Sequence, residues 1–391
     1  MRRETVYELF YIRGLCAFGI FMIHLSGAFA VFSQYGSKAM HLGILANQLF
    51  RFGTPVFMMI SGFVLFYNYR NFDEFDYRKF YIKKVKYIAV PYFIWSIFYY
   101  LLNHHKTLTS TGTIELGQVV KTILLGNAYP HLYFIFLIFQ FYLLYPLFLK
   151  FFIKWMERKP LPFFVVLLLA QGAILIYEFY FKAYSQNSFI NFFNSYYWKS
   201  VFGWFYYFLT GGLIALHYDK VINILDKNGI KIIFVYFISM ILYIGEVYLS
   251  LWAEEGRKLY ERYGSIRPMT LIYATFSVFL LIYIGRKIHN RDNKFRQMMN
   301  TFGVYSLGIY FAHPFVLEFI KTKLISRYPS IFGYSRISTM LILVILGWFS
   351  TLLLVLLLSK LKFRMYIIGR VQPYSFNLFK RSRSIRKDID M

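Results

Sequence analysis

Apolar runs of bilayer length, separated by short basic segments, recur along the whole chain. Ten are predicted as membrane-spanning helices, at about residues 9–32, 42–66, 85–102, 132–153, 161–181, 200–216, 231–250, 268–285, 303–324 and 337–359. Each approaches the ~20 apolar residues that cross a bilayer. The third and sixth are short and are expected to be broken or tilted. The fold class is therefore all-α: a polytopic transmembrane helical bundle over residues 1–362, followed by a basic tail, 363–391. No internal repeat, low-complexity linker or second soluble domain is evident.

Composition sharpens this picture. The chain is 58% hydrophobic and only 16% charged, which excludes an ordinary soluble domain. A net charge of +26 taken alone would point to nucleic acid. The charge instead sits in short loops on alternate sides. With the N-terminus in the cytoplasm, segments 1–8, 67–86, 150–160, 217–231, 286–302 and 360–391 hold 29 Lys or Arg against 13 in the opposite loops. The positive-inside rule then puts both termini in the cytoplasm, and no nucleic-acid partner is expected. The tail, from Lys380 to Lys387, reads as a basic segment lying against anionic lipid. Residues 114–124 form an amphipathic stretch expected in the interface, and 251–267 a charged loop on the far side. Both fit ordinary solvated loops as well as the rim of a polar substrate site. Arg2, Arg3 and Ala28-Phe29-Ala30 imitate a cleavable leader, but Arg13 and His24 interrupt the apolar core that a leader needs. The single Cys16 lies within the first run, so no disulfide framework exists within one chain and a buried thiol is expected to be inert.

Candidate chemistry lies where polar residues interrupt apolar runs. Arg13 and His24 are eleven positions apart in the first run. That spacing is three helical turns plus roughly 20°, so they share a face about 16 Å apart along the axis. Charged and titratable groups at such depth are costly and are functional candidates by default. The second run holds Asn47 and Arg51 one turn apart, with Pro55 expected to free the carbonyl of Arg51. Arg51 is at a depth similar to His24 and either serves a site or snorkels outward. In the ninth run Ser306, Tyr310 and His313 fall on one face, with Pro314 freeing the carbonyl of Tyr310. That stripe is either a cavity wall or a packing contact. His131 and Tyr133 open the fourth run at the far interface; Glu178, Glu246 and Glu318 lie near the far ends of other spans. They are either contacts for acceptor hydroxyls or plain interfacial groups.

Fingerprints of zinc peptidases, P-loops, nucleophile elbows and dinucleotide folds are not found in a usable context, and no paired carboxylates suit glycosidase work. No bound cofactor and no metal are expected. Taken together, Arg13 and His24, the Pro55-Val56-Phe57 stretch ending in Ser61-Gly62-Phe63, His131-Leu132-Tyr133-Phe134, Ser306 with Tyr310 and His313, and the glycine motif ending in Gly211-Gly212 resemble the acyltransferase-3 family of integral membrane acyltransferases. The stretch from Phe363 to Tyr374 resembles the intercellular adhesion protein C branch, which acts with poly-N-acetylglucosamine surface polysaccharide of Gram-positive bacteria. The resemblance implies a multi-pass protein of the bacterial cell membrane that moves an acetyl or succinyl group from cytosolic acyl-CoA to a glycan hydroxyl outside. Its partners would be the acyl-CoA, the surface glycan or its synthase and export machinery, and the lipid bilayer. It further implies that Arg13 holds the donor phosphates, that His24 acts as general base and that Arg51 stabilises the oxyanion. Glycan export, and acylation of a small lipid-linked or secreted metabolite, remain open alternatives.

Overall fold

The computed structural model describes residues 5–111, 115–181, 187–253, 264–291 and 293–371. The basic tail from Lys380 onward and most of the charged 251–267 loop lie outside these residues. Seventeen α-helices follow in chain order: α1 (Glu8–Phe32), α2 (Lys38–Leu49), α3 (Gly53–Asn68), α4 (Tyr77–Lys84), α5 (Val90–Thr111), α6 (Leu116–Leu124), α7 (Tyr133–Arg158), α8 (Pro160–Ile176), α9 (Ser188–Tyr196), α10 (Phe205–Leu216), α11 (Tyr218–Lys227), α12 (Gly229–Ala253), α13 (Pro268–His289), α14 (Lys294–Val304), α15 (Ser306–Leu324), α16 (Ile337–Leu358) and α17 (Arg364–Ile367). There is no strand among the described residues. Local chemistry sets several starts. Ser37, Asp76 and Asn293 accept from the backbone N–H three residues on, at 3.2, 2.9 and 3.0 Å, which satisfies donors that a helix cannot use internally.

Eight helical segments are long and apolar enough to cross a membrane, and a ninth is formed if α14 and α15, bent by 76°, count as one. The remaining predicted run, 200–216, is the 12-residue α10 preceded by two 3₁₀ turns, Tyr197–Lys199 and Val201–Gly203. Its ends nonetheless join opposite faces of the bundle. At the face where α1 begins, His217 meets the Met156 carbonyl at 2.9 Å and Arg70 donates to the Ala215 carbonyl at 2.9 Å. The same face gathers Glu8, Asp226 and Arg286 in ion pairs of 3.5 and 2.9 Å. At the opposite face Lys199 bonds Asn127, and Ser33 donates to the Tyr334 carbonyl at 2.9 Å. Short and broken spans of this kind are tolerated where protein covers the exposed backbone.

Helix α1 is the centre, packed against α2, α3, α13, α14, α15 and α16. Small residues permit that crowding. A Cβ at Gly14 would stand 2.8 Å from that of Phe302, and one at Gly303 would overlap the Phe10 carbonyl. The same device joins α3 to α10: a Cβ at Gly62 would overlap the Phe208 carbonyl, and one at Gly211 the Met59 carbonyl. In lipid, where apolar burial drives association weakly, close backbone contact supplies much of the helix adhesion.

One local expectation is corrected. Pro55 does not interrupt a continuous helix at Arg51. The chain breaks first, at Phe50–Phe52, and Pro55 falls in the opening turn of α3, where its missing N–H costs nothing. The break has its own polar accounting: the Leu49 carbonyl accepts from the Tyr273 hydroxyl at 2.6 Å.

The α3–α10 contact predicts that Gly211→Ala destabilises the bundle by about 1–3 kcal/mol through overpacking. Gly245→Ala, where nothing lies within 4 Å of the added methyl, serves as the control. Thermal unfolding in detergent should show a lower midpoint for the first variant and an unchanged or raised one for the second.

Candidate functional site

Three histidines from separate elements converge in the half of the bundle away from the start of α1. The rings of His24 on α1 and His313 on α15 are 5.2 Å apart between centroids. His131, in the turn that leads into α7, is 5.5 Å from His313 and 6.3 Å from His24. That turn is pinned to α15, because the Tyr310 hydroxyl donates to the His131 carbonyl. His313 is oriented by a 3.1 Å contact from Nδ1 to the Ile309 carbonyl. Both ring nitrogens of His131 and Nε2 of His313 are buried with no hydrogen-bond partner within the protein. Orphaned polar atoms in such an environment are costly, and their clustering makes this a candidate site. His24 is the partly exposed member of the trio. Among the described residues no group of three His, Cys, Asp or Glu is placed to hold a metal ion.

Arg51 joins this level through Asn47. The Asn47 amide donates to the Ile23 carbonyl at 2.7 Å, and its Oδ1 accepts from Arg51 Nη2 at 2.7 Å and from Gln48 at 3.1 Å. Tyr243 donates to Gln48 at 2.5 Å. The guanidinium, set at the α2–α3 break, therefore lies within electrostatic range of His24 and Tyr133. Tyr133 itself leans on Trp198, 5.1 Å between centroids.

A second polar level lies nearer the start of α1. Arg13 is partly exposed and falls within electrostatic range of Tyr142 on α7. Tyr142 in turn is close to Ser61 on α3. Arg13 and His24 are separated by eleven residues of α1, Ser61 and Arg51 by ten residues of the antiparallel α3 and its break. The two helices thus present matched polar residues at two depths about 15 Å apart. Partly buried Phe57 lies between them, one turn from Ser61, whose hydroxyl donates to the Phe57 carbonyl at 3.1 Å.

Other residues singled out in the sequence stand apart. Glu246 is held by Arg267 at 3.6 Å and by the Tyr180 hydroxyl at 3.2 Å, so it ties α12 to the start of α13. Glu318 pairs with Lys321 at 2.8 Å on the exposed side of α15. Ser306 is fully buried at the opening of α15, two turns from His313, with an unpartnered hydroxyl. Arg267, 1% exposed and 4.6 Å over the Phe179 ring, was not legible as a buried ion-pair partner, because its neighbours in sequence are loop residues. At the far rim, burial lowers the Lys199 ammonium from its ordinary value.

Tyr99 of α5 likewise carries no functional signal in the sequence. Its hydroxyl is inserted into α15 beside Pro314, donating to the Phe311 carbonyl at 2.7 Å and accepting from the Phe315 N–H at 3.2 Å. Its ring also packs 5.3 Å from His131. A tyrosine on an aromatic-rich helix carries no signal of this role until the proline break stands opposite it.

Comparison with known proteins follows the same outline. A family model described as "Acyltransferase domain", that of the acyltransferase 3 family, matches residues 6–360. A protein of Staphylococcus aureus strain MRSA252 named "Probable poly-beta-1,6-N-acetyl-D-glucosamine export protein" is 25% identical over 385 residues, covering 95% of this chain and 97% of that protein. A Staphylococcus epidermidis protein of the same name is 25% identical over 344 residues, 86% of this chain and 84% of its own length. No solved structure matches.

Tyr99→Phe should retain the ring contacts but strand the Phe311 carbonyl and the Phe315 N–H. The expected cost is about 1–3 kcal/mol. Faster hydrogen exchange in the peptide that contains Phe315, together with a lower unfolding midpoint, would register it; unchanged exchange there would count against the bridging role.

Proposed function

This chain belongs to the acyltransferase 3 family, and on that premise we propose that it moves an acetyl or succinyl group from cytosolic acyl-CoA to a hydroxyl of a surface polysaccharide resembling poly-N-acetylglucosamine. The protein is a multi-pass membrane protein, and the proposed site of action is the bacterial cell membrane. The observation that carries the reading is the pairing of two polar levels along α1 and α3. A cation, Arg13, lies at one level, and His24, Arg51, His131 and His313 gather at the other. A donor held by its phosphates near Arg13 can extend an arm of about 16 Å and present its thioester beside His24. The excess of basic residues on the loops of that face supports a cytosolic origin for the donor.

In this mechanism neutral His24 removes the proton of the sugar hydroxyl as its oxygen attacks the thioester carbon. The carbonyl oxygen becomes an oxyanion that Arg51 stabilises, with Asn47 fixing the guanidinium. Collapse breaks the carbon–sulfur bond, leaving the ester on the sugar. The departing thiolate takes the proton back from His24. The orphaned nitrogens of His131 and His313 hold the acceptor sugar by hydrogen bonds. Ser61 plays no covalent part in this scheme, since it lies at the Arg13 level.

Export of the polysaccharide is a second reading, favoured by the printed names of the staphylococcal relatives. His24→Ala separates the two. At matched membrane levels it should lower ester-linked acyl groups per sugar by about 100-fold or more, the usual loss on removing a general base, while exported glycan persists. Loss of surface glycan with ester content per sugar unchanged would favour export instead.

A further inference from the structure

The side of the bundle is hollow between α5 and α17. A groove of about 530 Å³ lies there, lined by Val90, Ile94, Phe363, Tyr366 and Ile367, and its lining surface is wholly apolar. It exists because the chain folds back against α5 after α16. Trp95 Nε1 donates to the Ile367 carbonyl at 2.9 Å, which ties α17 to α5. Ile368, 1% exposed, packs under α15: a Cβ at Gly308 would stand 3.0 Å from that of Ile368. Gly369 turns the chain with a positive φ of 78°, which a glycine adopts without strain.

Both walls of the groove end in cations. On α5 the row Ile94, Val90, Lys86 recurs every four residues, so the apolar wall runs into an ammonium over about 12 Å. On the other wall Lys362 precedes Phe363, and Arg370 follows Ile367 by three residues. Two of these cations converge on one ring. Lys86 Nζ is 5.7 Å and Arg370 Cζ 5.8 Å from the Tyr87 ring centroid, a range in which the ring face attracts a cation. Residues 82–98 and 359–371 together hold seven Lys or Arg and no Asp or Glu. This is the face where α1 begins, because α16 sets out from the opposite face, beside Tyr334, and delivers the chain here.

The two halves of this surface ask for different chemistry in one ligand. The apolar wall takes hydrocarbon, and the paired cations at its end take an anion. A soluble phosphate leaves the wall unused, and a neutral lipid leaves the cations unused. Basic pockets beside membrane helices are suited to anionic headgroups, each Lys or Arg strengthening the attraction. We propose that the α5–α17 groove binds an anionic phospholipid, with an acyl chain along Val90 and Ile94 and its phosphate at Lys86 and Arg370. The site stands whatever group the histidine cluster handles. Its occupant braces the segment that underlies α15, the helix of Tyr310 and His313.

The test is native mass spectrometry of the delipidated full chain with equal amounts of phosphatidylglycerol and phosphatidylcholine added. The wild type should retain phosphatidylglycerol in preference by about tenfold or more. Lys86→Gln with Arg370→Gln should abolish that preference, and Lys86→Arg with Arg370→Lys should keep it. Ile94→Trp, which fills the groove without touching charge, should also weaken retention. Lys323→Gln with Arg327→Gln removes the same charge elsewhere and should change nothing. Hydrogen exchange in residues 363–371 should slow with phosphatidylglycerol and not with phosphatidylcholine. Equal retention of the two lipids overturns the site. So does an equal loss in the Lys323 and Arg327 variant, which would make the effect one of diffuse surface charge. A preference that survives both the Gln pair and Ile94→Trp, or unchanged exchange in 363–371, places the lipid elsewhere and overturns it too. If the Gln pair loses binding and the Arg–Lys exchange does not restore it, the loss is one of folding; Ile94→Trp then decides, and full retention in that variant overturns the site.

Discussion

Asn47 makes the contact on which the polar interior hangs. Inside a bilayer no bulk water satisfies a donor or an acceptor, so each must find protein or line a cavity. Asn47 spends its amide on the Ile23 carbonyl, one residue before His24, and its oxygen on Arg51 and Gln48. One side chain thereby locks the depth of α1 against the α2–α3 break. Through Gln48 and Tyr243 the lock extends to α12, and through the Leu49 carbonyl and Tyr273 to α13. Arg51 is held near His24 rather than left to snorkel toward water.

A comparable economy governs the other side of the cluster. Pro314 removes a rung from α15, and the Tyr99 hydroxyl fills the adjoining gap. Tyr310 reaches across to the carbonyl of His131. The Phe311 and His131 carbonyls and the Phe315 N–H are thus satisfied, while three of the histidine ring nitrogens are not. Three such orphans meeting at one level, beside the partly exposed His24, make this cluster the candidate site. A helix-packing histidine would have found a partner across the bundle.

The two-level arrangement also bears on the competing readings. In the proposed transfer, Arg13 near the α1 start would bind the anionic end of the donor and the imidazoles farther on would handle the proton. That division suits one elongated donor meeting an acceptor from the other side. A polysaccharide conduit would instead call for aromatic platforms and acidic groups through its length. Here Glu246 and Glu318 are committed to Arg267 and Lys321 near the far ends of their helices.

Much was legible in the chain alone. Bilayer-length apolar runs, alternating basic loops and the eleven-residue spacing of Arg13 and His24 depend only on helix geometry and on the cost of charge in lipid, which act locally. The same physics made Asn47 a neighbour of Arg51, and Tyr310 and His313 members of one face. What the tertiary structure decided is which faces meet. It showed that His131 closes a triangle with His24 and His313, that Glu246 belongs to an ion pair apart from them, and that α10 crosses as a short helix with 3₁₀ turns. It also placed Tyr99 opposite Pro314 and Lys84 on Tyr142. These contacts join residues far apart in sequence, and their energy exists only once backbones approach at glycines such as Gly62, Gly211 and Gly303. A single helix carries no record of such approaches, because the partner that makes a position polar, strained or empty lies on another segment.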